Sequence, residues 1–297
     1  MTDVKVYAGS VVALWRYPVK SMQGEELDAA AVTDHGLLGD RAYALVDRAT
    51  GMTASAKHPG KWARLFACSA TYVEPPRLGT ALPAVRITLP DGTIASSAEP
   101  DIDLILSNAL GRDVTLATAA PPAAQREAYF VDGDGVAHPE TVKPGPLAVA
   151  APARTFFDYA VLHLLTTATL DRLHELYRAG HFAPRRLHPN LVVAPAADEY
   201  GFVENSWLGR MLSIGEGLRL HMIDPCPRCV VTTLPQGNLP HDPGILRTAA
   251  RNNAVPSATF APGVILPAVV GAYAAVIQGH TIRRGDAVWL GAPRAST

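Results

Sequence analysis

Short runs of alternating apolar and polar residues dominate the first third of the chain and predict β-strands. GSVVALWRYPV, interrupted by Pro18, and LDAAAVTDHG, ended by Gly36, fit single strands. RAYALVDRATGMTA predicts a hairpin that turns at residues 47–51, and AVRITLPDGTIAS predicts one that turns at residues 90–92. DIDLILSNALG predicts a short helix that Gly111 ends.

The pattern changes in the middle of the chain. Residues 117–152 are rich in Pro, Gly and Ala and show little periodicity, which predicts a long loop or a seam between two lobes. A length of 297 residues also suits about two domains. We therefore expect an N-terminal β-barrel-like domain at residues 1–116 and a second domain at residues 153–297.

Strands and two amphipathic helices are predicted in the last half. AVLHLL, NLVVA and RLHMID fit strands, and GAYAAVIQGHTIRRGDAVWLG fits paired strands. TTATLDRLHELYRAG has a threonine N-cap and an apolar stripe, and DPGILRTAARNN has Asp and Pro at its start. Many short strands, few helices and no regular β-α alternation predict a mostly β fold with some α (α+β), with β-barrel material in both lobes.

Composition narrows the class of partner. The 26 basic and 27 acidic residues nearly cancel, so no overall field attracts nucleic acid or anionic lipid. No apolar stretch reaches the ~18 residues of a membrane span, and the N-terminal region lacks a signal-peptide run. Three cysteines are too few for a secreted disulfide scaffold. We expect a cytoplasmic monomer that binds neither nucleic acid nor membrane.

Two of the cysteines form the motif Cys226-Pro-Arg-Cys229, whose spacing alone is ambiguous. A zinc site needs two more ligands, and the spacing of His221 and His241 fits no common pattern. A redox dithiol needs a helix after its first cysteine, whereas VVTTLPQGN is a poor helix former. Three cysteines cannot supply the four thiolates of an iron–sulfur cluster, and Cys68 fits a buried apolar position. Zinc, a dithiol and inert buried thiols stay open on the residues alone.

Six segments together resemble the MOSC family. They are, in chain order, YPVKSMQGEEL, GLLGDRAYALVD, LLTTATLDRL, HPNLVV, SWLGRMLSIG and CPRCVVTT. Their recurrence in this order covers about residues 11–290 and makes the resemblance specific. It implies a MOSC domain at residues 153–297 with an N-terminal MOSC β-barrel domain, similar to the mitochondrial amidoxime-reducing component and its bacterial relatives. The cofactor it implies is the molybdenum cofactor, Mo-molybdopterin.

The resemblance also implies which residues hold that cofactor. Cys229 is the implied metal ligand and catalytic residue, while Cys226 is expected to be structural. The implied cofactor contacts are Lys20, Ser21, Arg41, Asp158, His188, Asn190 and Arg228. The residue types suit the ligand, because a phosphate needs cations, a pterin needs hydrogen-bonding groups and the metal needs a soft donor.

The chain departs from the family pattern at three places. His188 stands where an arginine is common, so we expect Arg185 or Arg186 to supply the missing cation. Tyr159 and Ala160 stand where small hydroxyl residues are common. TTLPQGN replaces the more usual Thr-x-Asp-Pro-x-x-Gly pattern, and this change is expected to reshape the substrate mouth.

The implied activity is the reduction of small N-oxygenated substrates such as amidoximes or hydroxylamines. The sequence has no Gly-x-Gly-x-x-Gly fingerprint for a nicotinamide cofactor, so electrons are expected from an external electron-transfer protein. A second hypothesis from the same resemblance is a cofactor or sulfur carrier, in which Cys229 holds a thiolate or persulfide without redox turnover.

Overall fold

A computed structural model describes residues 5–293 of the chain. The outer ends of the two predicted domain ranges, residues 1–4 and 294–297, lie outside the described residues. Strands account for 39% of the residues and helices for 17%. The prediction of a mostly β fold is confirmed. Within the described range, no helix combines the length and the apolar character that crossing a membrane requires.

The strands are numbered in chain order. They are β1 (Val6–Arg16), β2 (Glu25–Leu27), β3 (Ala29–Thr33), β4 (Gly36–Leu37), β5 (Ala44–Asp47), β6 (Ser69–Tyr72), β7 (Val85–Thr88), β8 (Ile94–Ser96), β9 (Val114–Ala117), β10 (Gln125–Val131), β11 (Ala137–Pro146), β12 (Leu162–Thr166), β13 (Leu191–Pro195), β14 (Arg210–Ile214), β15 (Leu218–Pro227), β16 (Val255–Pro256), β17 (Ile265–Leu266), β18 (Val269–Gln278), β19 (Thr281–Arg283) and β20 (Ala287–Pro293).

Between residues 5 and 293, five α-helices and two short 3₁₀ helices connect the strands. The α-helices are α1 (Pro59–Phe66), α2 (Ile102–Leu110), α3 (Thr167–Leu176), α4 (Pro184–Leu187) and α5 (Gly244–Asn252), and the 3₁₀ helices are Val203–Trp207 and Val230–Thr233. The predicted threonine cap of α3 is confirmed, because the Thr166 side chain accepts a hydrogen bond from the Thr169 amide. At α5, Asp242 accepts a hydrogen bond from the Gly244 amide.

Seven strands close into a barrel in the order β1, β13, β12, β18, β15, β14 and β20, which pairs with β1 again. The β12–β13 pair is parallel, and the other pairs are antiparallel. Alternate side chains point inward and are fully buried, among them Leu14, Leu164, Leu212 and Leu220. Six of these strands follow residue 161. The barrel is therefore built mainly from the second half of the chain, and β1 is its one strand from the first half.

A second core lies in the N-terminal part of the chain. The sheets β5–β9 and β6–β7–β8 pack with α1 and α2 around buried residues that include Trp62, Leu65, Cys68 and Leu106. The predicted hairpin at residues 90–92 joins β7 to β8, and Gly111 ends α2 with a left-handed backbone (φ 67°), as predicted. The chain also turns at residues 47–51, but β5 pairs chiefly with β9 rather than with the next segment.

The prediction of a long loop at residues 117–152 is wrong, whereas the alternative of a seam between two lobes stays a prediction. This segment contains the antiparallel hairpin β10–β11. Its turn is held by the Asp132 carboxylate, which accepts the amides of Asp134 and Val136, while Gly135 has φ 75°. The many prolines of β11 hid the strand from periodicity analysis, and they are tolerated because β11 has one partner strand only among the described residues.

Removal of one buried side chain of β1 should destabilise the whole barrel. Leu14 is fully buried and faces Leu191 of β13 and Leu27 of β2. Leu14→Ala should lower the free energy of unfolding by about 2–5 kcal/mol, measured by urea denaturation. Leu104→Ala, at a position of α2 that is 61% exposed, is the matched control and should change it by less than about 1 kcal/mol. Equal losses in the two variants would contradict this role of β1.

Candidate cofactor site

A cleft of about 130 Å³ lies beside the turn that follows β1. Its other walls come from the segment before β12, the segment before β13 and the segment after β15. Its wall includes every residue predicted for the site, namely Lys20, Ser21, Arg41, Asp158, His188, Asn190, Arg228 and Cys229. These residues come from positions as far apart in sequence as 20 and 229. The fold therefore brings the whole predicted set into one cleft.

Only one of the two motif cysteines offers its sulfur to the cleft. Cys229 follows β15, is partly exposed and carries a free thiol. Cys226 is fully buried, and its sulfur accepts a hydrogen bond from Arg228 Nη1 at 2.7 Å. Arg228 Nη2 donates to the Leu187 carbonyl at 2.7 Å. Cys226 thus holds the arginine in place, and Cys229 is the sulfur available to a ligand.

The described part of the chain offers no set of ligands for a structural zinc ion. No group of three or more His, Cys, Asp or Glu side chains between residues 5 and 293 is arranged to hold a metal ion. The residues after Cys229 form a 3₁₀ helix of four residues rather than an α-helix. This short helix lacks the dipole that a thioredoxin-like dithiol uses to activate its first cysteine.

Three cations surround one partly buried carboxylate, Asp158, in the wall of the cleft. Asp158 lies 2.8 Å from Lys20 Nζ, 3.0 Å from Lys57 Nζ and 3.0 Å from Arg126 Nε. Burial would raise the pKa of Asp158, but the neighbouring Lys20, Lys57 and Arg126 hold it well below its usual range. Burial lowers the pKa of Lys20 to about 8, although Asp158 opposes the shift. The cluster carries a net positive charge, which suits an anionic group such as a phosphate.

Lys57 and Arg126 belong to this cluster but were not predicted from the sequence. Lys57 stands in TASAKHP, where a single lysine gives no signal. Arg126 lies on β10, inside the segment predicted to be a loop. Two backbone hydrogen bonds, from the Thr53 amide to the Gln125 carbonyl (2.9 Å) and from the Tyr129 amide to the Lys57 carbonyl (2.8 Å), hold β10 beside the segment that carries Lys57.

Three predicted residues have a left-handed backbone, Ser21 (φ 64°), Arg41 (φ 47°) and His188 (φ 48°). This conformation is uncommon outside glycine and is often found at functional sites. The Ser21 hydroxyl oxygen accepts the Ala56 amide at 3.1 Å, which leaves its own proton available to a ligand. The Arg41 guanidinium lies over the Tyr17 ring at 4.7 Å and is paired with buried Asp40.

Asn190 is hydrogen-bonded to both members of the Arg41–Asp40 ion pair. Its amide nitrogen donates to the Trp15 carbonyl (3.3 Å) and to Asp40 (3.0 Å), and its oxygen accepts the His163 amide (3.1 Å) and Arg41 (3.4 Å). These four bonds use the full hydrogen-bonding capacity of the side chain. Asn190 therefore acts on the cleft by positioning Arg41 as much as by lining the wall.

His188 is a neutral ring with an unused nitrogen. It stacks between Tyr17 and Phe66, at ring-centroid distances of 4.7 and 5.5 Å. Burial, assisted by the charges of Arg41 and Arg228, lowers the pKa of His188 to about 3. Its Nε2 and the Nε of Arg228 are buried and lack a hydrogen-bond partner among the described residues. Two unsatisfied polar atoms in a cationic cleft fit a polar ligand such as a pterin.

Neither arginine expected to replace a cation at position 188 lines the cleft. Arg185 is hydrogen-bonded to the side chain of Asn238. Arg186 is fully buried and donates to four backbone carbonyl groups, those of His181, Thr232, Leu234 and Pro240. It therefore anchors the segment that follows Cys229, and the cations beside His188 are Arg41 and Arg228.

The closed barrel, the second core and the cleft define a two-lobed β-barrel protein with a basic cleft that a free cysteine lines. The family model of the MOSC N-terminal beta barrel domain matches residues 8–93, and that of the MOSC domain matches residues 152–289. The chain belongs to this family of MOSC-domain proteins, as its sequence motifs indicated.

The proteins similar to the chain include a bovine mitochondrial protein and a bacterial protein of known structure. Mitochondrial amidoxime reducing component 2 of Bos taurus is 26% identical over 243 residues, which cover 76% of this chain and 66% of the bovine protein. The match thus spans just under two thirds of the bovine protein. The crystal structure of the YUAD protein from Bacillus subtilis superposes with a TM-score of 0.44 at 9% identity, over 98% of this chain and 99% of that one.

The low pKa of His188 predicts acid sensitivity. A group whose pKa falls from 6.5 in the unfolded chain to about 3 in the fold stabilises the fold above pH 6.5, and this stability is lost as the pH falls toward 3. His163, whose pKa burial also lowers to about 3, adds to the effect. The free energy of unfolding should fall between pH 7 and 5 in urea denaturation, with a slope of up to about 1.4 kcal/mol per pH unit for each histidine.

His188→Asn, which retains a residue tolerant of the left-handed backbone, should make this slope less steep. His35→Asn is the control, because His35 is exposed and outside the cleft. An unchanged slope in His188→Asn would contradict a buried neutral imidazole.

Proposed function

We propose that this protein binds the molybdenum cofactor in the cleft and acts as an oxidoreductase on small N-oxygenated compounds. The observation that carries the proposal is the position of Cys229, a partly exposed residue with a free thiol that lines the same cleft as Lys20, Arg41 and Arg228. A soft thiolate beside several cations matches a ligand that joins a molybdenum ion to an anionic pterin.

Each part of the cleft would hold a different part of the cofactor. Lys20 and Lys57, with an excess of positive charge over Asp158, would hold the phosphate, and the Ser21 hydroxyl would donate to it. Unsatisfied His188 Nε2 and Arg228 Nε would bind polar atoms of the pterin. Cys229 would be the protein ligand of the metal. All of these positions are set by the protein before the ligand binds.

When bound, the cofactor would supply the two-electron redox chemistry of oxygen removal. The protein would orient the cofactor and keep His188 neutral. Its fixed cations would stabilise the negative charge of the cofactor. Asn190 and Asp40 would keep Arg41 in its position while a substrate enters and leaves.

The name of the bovine relative states that it reduces amidoximes. We extend that class of substrate to this chain, together with an external electron-transfer protein as donor. Three cysteines are too few for an iron–sulfur cluster within these 297 residues, and no nicotinamide fingerprint is present. A cytoplasmic location, a monomeric state and the lack of nucleic-acid or membrane partners stay predictions.

Metal content tests the cofactor. Protein purified from a molybdopterin-competent host should contain about one molybdenum per chain by elemental analysis. It should also reduce benzamidoxime with reduced viologen as the electron donor. Protein without molybdenum would contradict the proposal. Molybdenum-replete protein that reduces no N-oxygenated compound would favour the carrier hypothesis instead.

Replacement of one sulfur tests the ligand. Cys229→Ser removes the soft donor, so benzamidoxime reduction should fall at least about 100-fold, while the far-ultraviolet circular dichroism is unchanged. Cys68→Ala is the control, because Cys68 is buried in the N-terminal core and does not line the cleft. Undiminished turnover in Cys229→Ser would rule out Cys229 as the ligand.

A further inference from the structure

A second serine lies beside Ser21 in the wall of the cleft. Ser55 is 2% exposed and lines the cleft, as Ser21 does. Ser21 Oγ accepts the Ala56 amide at 3.1 Å, and Ser55 Oγ accepts the Lys57 amide at 3.3 Å. The two hydroxyl oxygens are thus bound to consecutive backbone amides, and consecutive residues are only ~3.8 Å apart along the chain. Ser21 and Ser55 therefore form a hydroxyl pair.

Both members of the hydroxyl pair can donate to a ligand. Each oxygen of the pair already accepts an amide, and neither hydroxyl proton has an acceptor among the described residues. A hydroxyl group has one proton to donate, and buried donors in proteins normally have an acceptor. The two protons of the pair are therefore available to an acceptor that occupies the cleft.

Two ammonium groups flank the hydroxyl pair. Lys20, next to Ser21, gives two of its three protons to a backbone carbonyl (2.9 Å) and to Asp158 (2.8 Å). Lys57, two residues after Ser55, contacts the other carboxylate oxygen of Asp158 at 3.0 Å. Further protons of both ammonium groups remain for a ligand. Hydroxyl and ammonium donors thus lie side by side in one part of the wall, which suits an anion with several acceptor oxygens.

We propose that Ser55 is a further ligand-binding residue, and that the hydroxyl pair donates two hydrogen bonds to the phosphate group of the bound cofactor. This inference rests on the proposed function, which supplies a ligand that carries a phosphate. Lys20 and Lys57 provide the positive charge, and the pair provides neutral donors between them. Ser55 contributes to affinity and takes no part in the redox chemistry.

Binding of inorganic phosphate to the cofactor-free full chain tests the hydroxyl pair without molybdenum. The protein is titrated with phosphate at pH 7 by calorimetry, at several concentrations of sodium chloride. Ser55→Ala should weaken phosphate binding about 10-fold, because a hydrogen bond to a charged group is lost. It should retain the salt dependence of the wild-type affinity, because it leaves the charges unchanged. Lys57→Met removes a charge, so its phosphate affinity should depend less steeply on salt.

Ser96→Ala is the matched control, because Ser96 Oγ also accepts the amide two residues ahead, at 3.2 Å, and Ser96 does not line the cleft. It should leave the phosphate affinity unchanged, and far-ultraviolet circular dichroism checks that every variant is folded. Wild-type protein that binds no phosphate, or unchanged affinity in Ser55→Ala, would overturn the inference. A salt dependence in Ser55→Ala as shallow as that of Lys57→Met would also overturn it, because Ser55 would then only position Lys57.

The outcome is separable from that of the proposed function. Protein that binds phosphate through Ser55 but never acquires molybdenum would contradict the proposed function and leave the hydroxyl pair intact. Molybdenum-replete protein in which Ser55→Ala binds phosphate as wild type does would overturn the inference and leave the proposed function intact.

Discussion

The ion cluster around Asp158 is the interaction on which the cleft depends. Lys20 follows the first barrel strand, Lys57 precedes α1 and Arg126 lies on the β10–β11 hairpin, yet all three meet one carboxylate just before β12. Without that carboxylate, three like charges would face each other in a partly buried space, which is strongly unfavourable. The cluster therefore joins three distant parts of the chain and at the same time leaves positive charge for a ligand.

The opposite side of the cleft is built from neutral and paired groups. Asp40 and Asn190 hold Arg41, Cys226 holds Arg228, and His188 remains uncharged between two aromatic rings. Each cation there has a fixed protein partner, so its direction is set before any ligand arrives. Such preorganisation lets charged groups bind a ligand without a further cost of ordering side chains. Two buried nitrogens of residues that line the cleft, His188 Nε2 and Arg228 Nε, have no hydrogen-bond partner among the described residues.

The sequence motifs predicted much of this arrangement. All eight predicted site residues line one cleft. They could be predicted as one set because the family resemblance linked motifs that local patterns could not connect. The hairpin at residues 90–92, the threonine cap of α3 and the end of α2 at Gly111 were also predicted correctly, since their signals are local. Arg126 and Lys57 were missed because their role arises only from tertiary contacts. The expectation for Arg185 and Arg186 failed because proximity in sequence to His188 does not determine the direction of a side chain.

Closure of the barrel by β1 sets an order of events during synthesis on the ribosome. Val6 pairs with Leu290, and Gly9 pairs with Pro195, so the earliest strand has no partners in the barrel until residues far downstream have emerged. The apolar face of β1 is thus exposed for most of translation, while the N-terminal core around Trp62 and Leu106 is complete in sequence much earlier. Contacts between such distant residues also form slowly, because a long loop must close first. The nascent chain therefore carries a complete N-terminal core, and a β1 strand without its barrel partners, until the strands that follow residue 161 have been synthesised.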